Sequence, residues 1–139
     1  MTRKITKELE QAYNATEYVV YDDNPITLKI GHKSSSLMEL MQRCSVNCCA
    51  FITAFNPYSL NMTETENLQR NEGLRDDLIK LDCTFYGGVG QDPSGNWPPE
   101  NSFLILGISK TDAENLGRKY EQNAILWINH EALPELVLL

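Results

Sequence analysis

The residues of this chain that could do chemistry are polar side chains placed where apolar runs stop. Asn56, Pro57 and Ser59 follow the apolar run 48–55 (CCAFITAF), and Asn67 and Arg70 lie one helical turn apart soon after it. Trp97, Glu100 and Ser102 precede the run 103–108, and Gln122 and Asn123 precede the run 124–128. Side chains at the ends of rigid elements are well placed to hold a ligand. Arg70 is the cation of the set and offers a planar fork of donors to an anion. Asn56, Asn67 and Gln122 can orient a ligand through hydrogen bonds, Ser59 and Ser102 add hydroxyls, and Trp97 supplies a stacking surface. Glu100 is the candidate general acid or base, provided Trp97 removes it partly from water. The expectation is one shared cavity in which Arg70 faces Glu100, with Arg70, as a helix-surface residue, adding little to stability. The competing reading is caps and turns. Asn-Pro followed by Ser is ordinary turn chemistry, Asn67 and Arg70 fit a solvated helix face, and Gln122 and Asn123 fit a helix cap.

Other chemistry finds less support. Cys44, Cys48, Cys49 and Cys83 lack the paired spacing of a zinc site, and neither His32 nor His130 completes one. On a strand, Cys48 and Cys49 would point to opposite faces, so the expectation is four free thiols and no metal. Gly87-Gly88-Val89-Gly90 leads into Asp92-Pro93 rather than into a helix, so it reads as a strand bend or bulge, not a phosphate loop. His130-Glu131 has no second histidine at metalloprotease spacing, and no G-x-S-x-G occurs.

The elements that would position these residues follow from periodicity and turn chemistry. The first residues form an amphipathic helix with Ile5, Leu9 and Ala12 or Tyr13 on one face. Two β-rich runs, 17–21 and 26–30, flank Asp22-Asp23-Asn24-Pro25 and form a hairpin. Ser36-Leu37-Met38-Glu39 is a capping box that opens a short helix with Leu37, Leu40, Met41 and Cys44 inward. Residues 48–55 make a buried central strand. The Thr63 capping box starts a helix over 64–81, with Leu68, Leu74, Leu78 and Leu81 as its buried stripe. Strands follow at 83–89 and 103–108, a helix at 111–121 with Ala113, Leu116 and Tyr120 inward, and a last strand at 124–128. The order β-α-β-β-α-β over residues 48–128 is the ferredoxin-like split motif of an α+β fold, with both helices on one face of a four-stranded antiparallel sheet. Residues 1–47 then elaborate this core, and the apolar tail 129–139 docks on it. One domain accounts for all 139 residues.

The combined pattern Ala54-Phe55-Asn56-Pro57-x-Ser59, Glu66-Asn67-x-x-Arg70, Trp97-x-x-Glu100-x-Ser102 and Gln122-Asn123-Ala124 resembles a family of small bacterial and phage proteins catalogued only as a domain of unknown function. The resemblance spans about residues 48–128. It implies that these polar positions belong together and carries no activity with it.

Composition narrows the function classes. A net charge of −7 and a pI near 4.8, with Lys and Arg scattered, argue against nucleic acid as a partner. No apolar run reaches the roughly 20 residues of a membrane helix. Acidic residues from Glu8 onward interrupt what would be a signal peptide, so a cytoplasmic setting is expected. The leading expectation is a domain that binds a small polar or anionic, nucleotide-like molecule, in a regulatory or sequestering role and with no cofactor. The alternatives are a small hydrolase- or lyase-type enzyme using Glu100, and a protein-interaction module using a sheet edge or the apolar tail.

Overall fold

The computed structural model describes residues 5–139, so the basic start of the chain, residues 1–4, lies outside the described residues. Helix α1 (Lys7–Ala15) begins where the Thr6 side chain accepts a hydrogen bond from the Leu9 N–H, and Glu8 and Glu10 complement its N-terminal dipole. Strands β1 (Glu17–Val20) and β2 (Ile26–Leu28) form the expected hairpin, with Val20 opposite Ile26. Helix α2 (Ser35–Arg43) is capped by Ser34, not by Ser36 as the capping box suggested. Three serines in a row offer three possible caps, and the start at Ser34 carries Leu37, Leu40 and Met41 into the core.

Strand β3 (Cys49–Thr53) is the central strand and ends in a short 3-10 turn, Pro57–Ser59. Helix α3 (Glu64–Lys80) is capped by Thr63, as its capping box requires. Its inward stripe differs from expectation: Asn67, Asn71, Leu74 and Leu78 are buried, while Leu68 and Leu81 are exposed. The spacing of four, three and four residues is a regular helical stripe. The apolar reading missed it because two of its four members are asparagines.

Strands β4 (Thr84–Gln91) and β5 (Glu100–Leu106) follow, then α4 (Lys110–Lys119), β6 (Ala124–Ile128) and β7 (Pro134–Leu138). Glu100 and Ser102 therefore lie within a strand rather than in the loop before it. The tail docks by adding a strand to the sheet, a form of docking that its sequence does not specify. The fold is α+β, and all strands join one antiparallel sheet in the order β2-β1-β4-β5-β3-β6-β7. Seven strands replace the anticipated four, because the hairpin pairs with β4 on one side and the tail with β6 on the other.

No bulge interrupts β4. Its register with β5 runs one-to-one from Thr84–Leu106 to Gly90–Glu100. The glycines serve close packing: a Cβ on Gly88 would lie 2.4 Å from the Val19 carbonyl and 3.1 Å from the Phe51 ring.

Helices cover both sheet faces. Leu37, Leu40 and Met41 of α2 pack with Tyr18, Phe51, Leu104 and Leu126. On the other face, Leu74 and Leu78 of α3 and Ala113 and Leu116 of α4 pack with Ile52, Ile105 and Ile125. No helix among the described residues is long and apolar enough to cross a membrane.

Candidate functional site

The site grows from the end of β3, where sheet pairing stops and backbone groups must find other partners. Helix α3 supplies several of them. Asn71 Oδ1 accepts from the Ala54 N–H at 3.2 Å, Asn67 Oδ1 accepts from the Asn56 N–H at 2.8 Å, and Arg70 Nε donates to the Ala54 carbonyl at 2.8 Å. From the far side, Gln122 Nε2 donates to the Phe55 carbonyl at 3.0 Å. The chain then turns through Asn56, Tyr58 and Ser59, all with φ between +50° and +62°. Left-handed backbone at residues other than glycine persists only where its surroundings fix it. Here the Tyr58 N–H donates to the Glu121 carbonyl at 2.6 Å, and Asn123 Nδ2 donates to Ser59 Oγ at 2.9 Å.

Asn56 links this turn to Glu100. Its Oδ1 accepts from Asn67 Nδ2 at 2.9 Å and from the Met62 N–H at 3.1 Å, and its Nδ2 donates to Glu100 Oε2 at 2.7 Å. Two donors on Oδ1 fix the orientation of the amide, since a flipped amide would set donor against donor. Glu100 in turn borders a cavity of about 380 Å³ between α1 and the sheet face that carries Phe51 and Leu104. Leu9, Ala12 and Tyr13 of α1 line one side, and Phe51, Leu126 and Leu136 are among the apolar residues opposite. The polar end is made by Asn56, Ser59, Glu100, Ser102 and Gln122, with Trp97, 47% exposed, at the border. Burial raises the Glu100 carboxyl above the usual carboxylate range, against the opposing hydrogen bond from Asn56. Burial also raises the Tyr13 hydroxyl. A lowering interaction with Ser59 opposes that rise, and the nearby Glu100 charge adds to it. The Tyr18 hydroxyl donates to the Tyr13 carbonyl at 2.8 Å and so ties α1 to the sheet.

Of the residues singled out from the sequence, Asn56, Ser59, Trp97, Glu100, Ser102 and Gln122 all line this cavity. Asn67 stands behind it and holds Asn56. Arg70 does not face Glu100, contrary to expectation. Helix α3 packs on the opposite sheet face, and the Arg70 guanidinium donates to the carbonyls of Ala54 and Tyr120 and lies 3.5 Å from Glu121. Tyr13 and Thr53 are cavity residues that the sequence reading did not select. The amphipathic spacing of the first helix marked Tyr13 as inward, but nothing local indicated what it would cover.

The charge of the cavity also differs from expectation. No Lys, Arg or His lines it among the described residues, and its carboxylates are Glu100 and the exposed Glu8. Among the described residues, an anion would meet only like charge there. No group of three His, Cys, Asp or Glu side chains suited to a metal occurs among the described residues. All four cysteines are free thiols, and burial pushes the Cys49 thiol up to about 12.

Residues 52–125 match the family model described as protein of unknown function (DUF3293). That span holds every polar site residue named from the sequence, whereas α1 lies outside it. No match was found among curated proteins or among solved structures.

Proposed function

Because this chain belongs to the DUF3293 family of proteins of unknown function, its role has to be read from its own residues, and we propose that it binds a small molecule in the cavity beneath α1. The observation that carries this reading is a cavity of about 380 Å³ with mostly apolar walls and a fixed polar end. That volume falls in the lower part of the range of ligand pockets, which combine apolar walls with a few placed polar groups. Asn67, Asn56 and Glu100 form a chain of hydrogen bonds from α3 to the cavity, so the polar end is pre-organised. The walls disfavour an anionic ligand, since Arg70 is committed elsewhere and, among the described residues, only carboxylates bring charge to the cavity.

The strand order β4-β5-β3-β6, antiparallel throughout, supports reading these four strands with α3 and α4 as the ferredoxin-like split β-α-β-β-α-β unit. One domain is supported by the hairpin and the tail, which both extend the same sheet.

A second reading, an enzyme of hydrolase or lyase type, is favoured by Glu100 at the cavity's polar end, where burial raises its carboxyl in the direction that suits a general acid. The test of binding is a thermal-shift and mass-spectrometric screen of a metabolite extract, run on the protein and on Ala12→Trp, which fills the cavity from α1. Helix α1 has no buried residue, so the large side chain enters the cavity without displacing a core side chain of the helix. The expected result is a retained small molecule that the variant fails to retain. Equal retention by both proteins would refute the reading.

A further inference from the structure

We infer that the cavity selects a cationic amphiphile, an alkyl- or arylammonium whose charged head pairs with Glu100. The inference rests on the ligand-binding reading above and adds the class of ligand. Glu100 Oε2 accepts from Asn56 Nδ2, while its other carboxylate oxygen has no donor among the described residues. The Asn56 amide is fixed, because its Oδ1 accepts from Asn67 and Met62, and its Nδ2 is directed to Oε2.

A carboxylate lowered into an apolar cavity is stabilised most by a cation that donates to it directly. The described residues supply no such cation: Arg70 is bound to two backbone carbonyls and an ion pair, and none of their basic side chains lines the walls. The remaining walls suit the same ligand. Tyr18, Phe51, Phe55 and Trp97 present aromatic surface, on which both an apolar body and an ammonium are stable. The exposed Glu8 at the border and the net charge of −7 draw cations toward the opening.

Binding of three probes on one ring system tests this: tryptamine, tryptophol and indole-3-acetate, with hexylamine, hexanol and hexanoate as a second skeleton. Isothermal titration of the full chain should show each amine binding at least about tenfold tighter than its alcohol, the effect of one charge-assisted hydrogen bond. The carboxylates should not bind. In Glu100→Gln the amine and alcohol should bind within about threefold of each other, since a neutral amide replaces the charge. A carboxylate that binds as well as its amine, or an amine preference that survives in Glu100→Gln, overturns the inference and leaves the pocket reading standing. So does failure of all six probes while the neutral dye Nile red binds the protein and not Ala12→Trp. Failure of the six probes and of the dye overturns both.

Discussion

Removing Arg70 should cost far more than a helix-surface arginine normally does. Its side chain is 23% exposed, Nε donates to the Ala54 carbonyl at 2.8 Å, and Nη2 donates to the Tyr120 carbonyl at 2.5 Å. Ala54 is fully buried, so in Arg70→Ala its carbonyl loses a charged donor that water replaces poorly. A hydrogen bond to a charged group contributes about 1.5–3 kcal/mol. The Tyr120 carbonyl keeps Gln122 Nε2 at 3.1 Å, so its loss is smaller, about 0.5–1 kcal/mol. The ion pair with Glu121, at 3.5 Å and with the glutamate side chain 46% exposed, adds close to nothing. The expected destabilisation is therefore about 2–4 kcal/mol, read as a lower urea midpoint at unchanged slope. Arg70→Lys should recover about half, because one ammonium cannot reach both carbonyls with a fork of donors. A loss below about 0.5 kcal/mol, the usual scale for an exposed position, would refute the clamp and leave Arg70 a solvated residue.

Three further outcomes follow from the geometry. Folding raises the Glu100 carboxyl above its unfolded value, so its neutral form is favoured by the fold and its contribution is lost as pH rises through the folded-state value. Glu100→Gln should thus match the parent in acid and gain melting temperature over it toward neutral pH; a parent that gains instead contradicts the burial argument. Gly88→Ala should destabilise by about 2–4 kcal/mol in a urea titration, since its Cβ meets backbone at 2.4 Å that cannot give way, and a neutral outcome would contradict the close approach of β1 to β4. Cys49, buried with its thiol near 12, should resist iodoacetamide in the folded protein and react on unfolding, as peptide mass spectrometry would show.

Much of the architecture was legible because it rests on local signals. The Thr63 cap, the hairpin turn Asp22–Pro25 and the apolar run into β3 each announce their element within a few residues. The seventh strand was not, because whether 134–138 docks as a strand depends on the free edge of β6, a partner distant in sequence. The buried stripe of α3 was misread where Asn67 and Asn71 take apolar places. Their burial is explicable only once the unpaired amides of Ala54 and Asn56 stand beside them. The candidate site was legible as a set of polar element ends, six of which line one cavity. The role of Arg70 was not, since helix periodicity does not say which sheet face a helix covers. The spacing of the first helix marks Tyr13 as inward, but what it covers depends on β1, whose Tyr18 hydroxyl bonds the Tyr13 carbonyl.

The most direct test of the account is a crystal structure of the protein with an amine found to bind it. The expected result is ligand density between α1 and the sheet, with the ammonium about 2.8 Å from the Glu100 carboxylate oxygen that Asn56 leaves open. Density outside the cavity, such as against the loop 92–99, or an ammonium turned away from Glu100 with the body reversed, would contradict it.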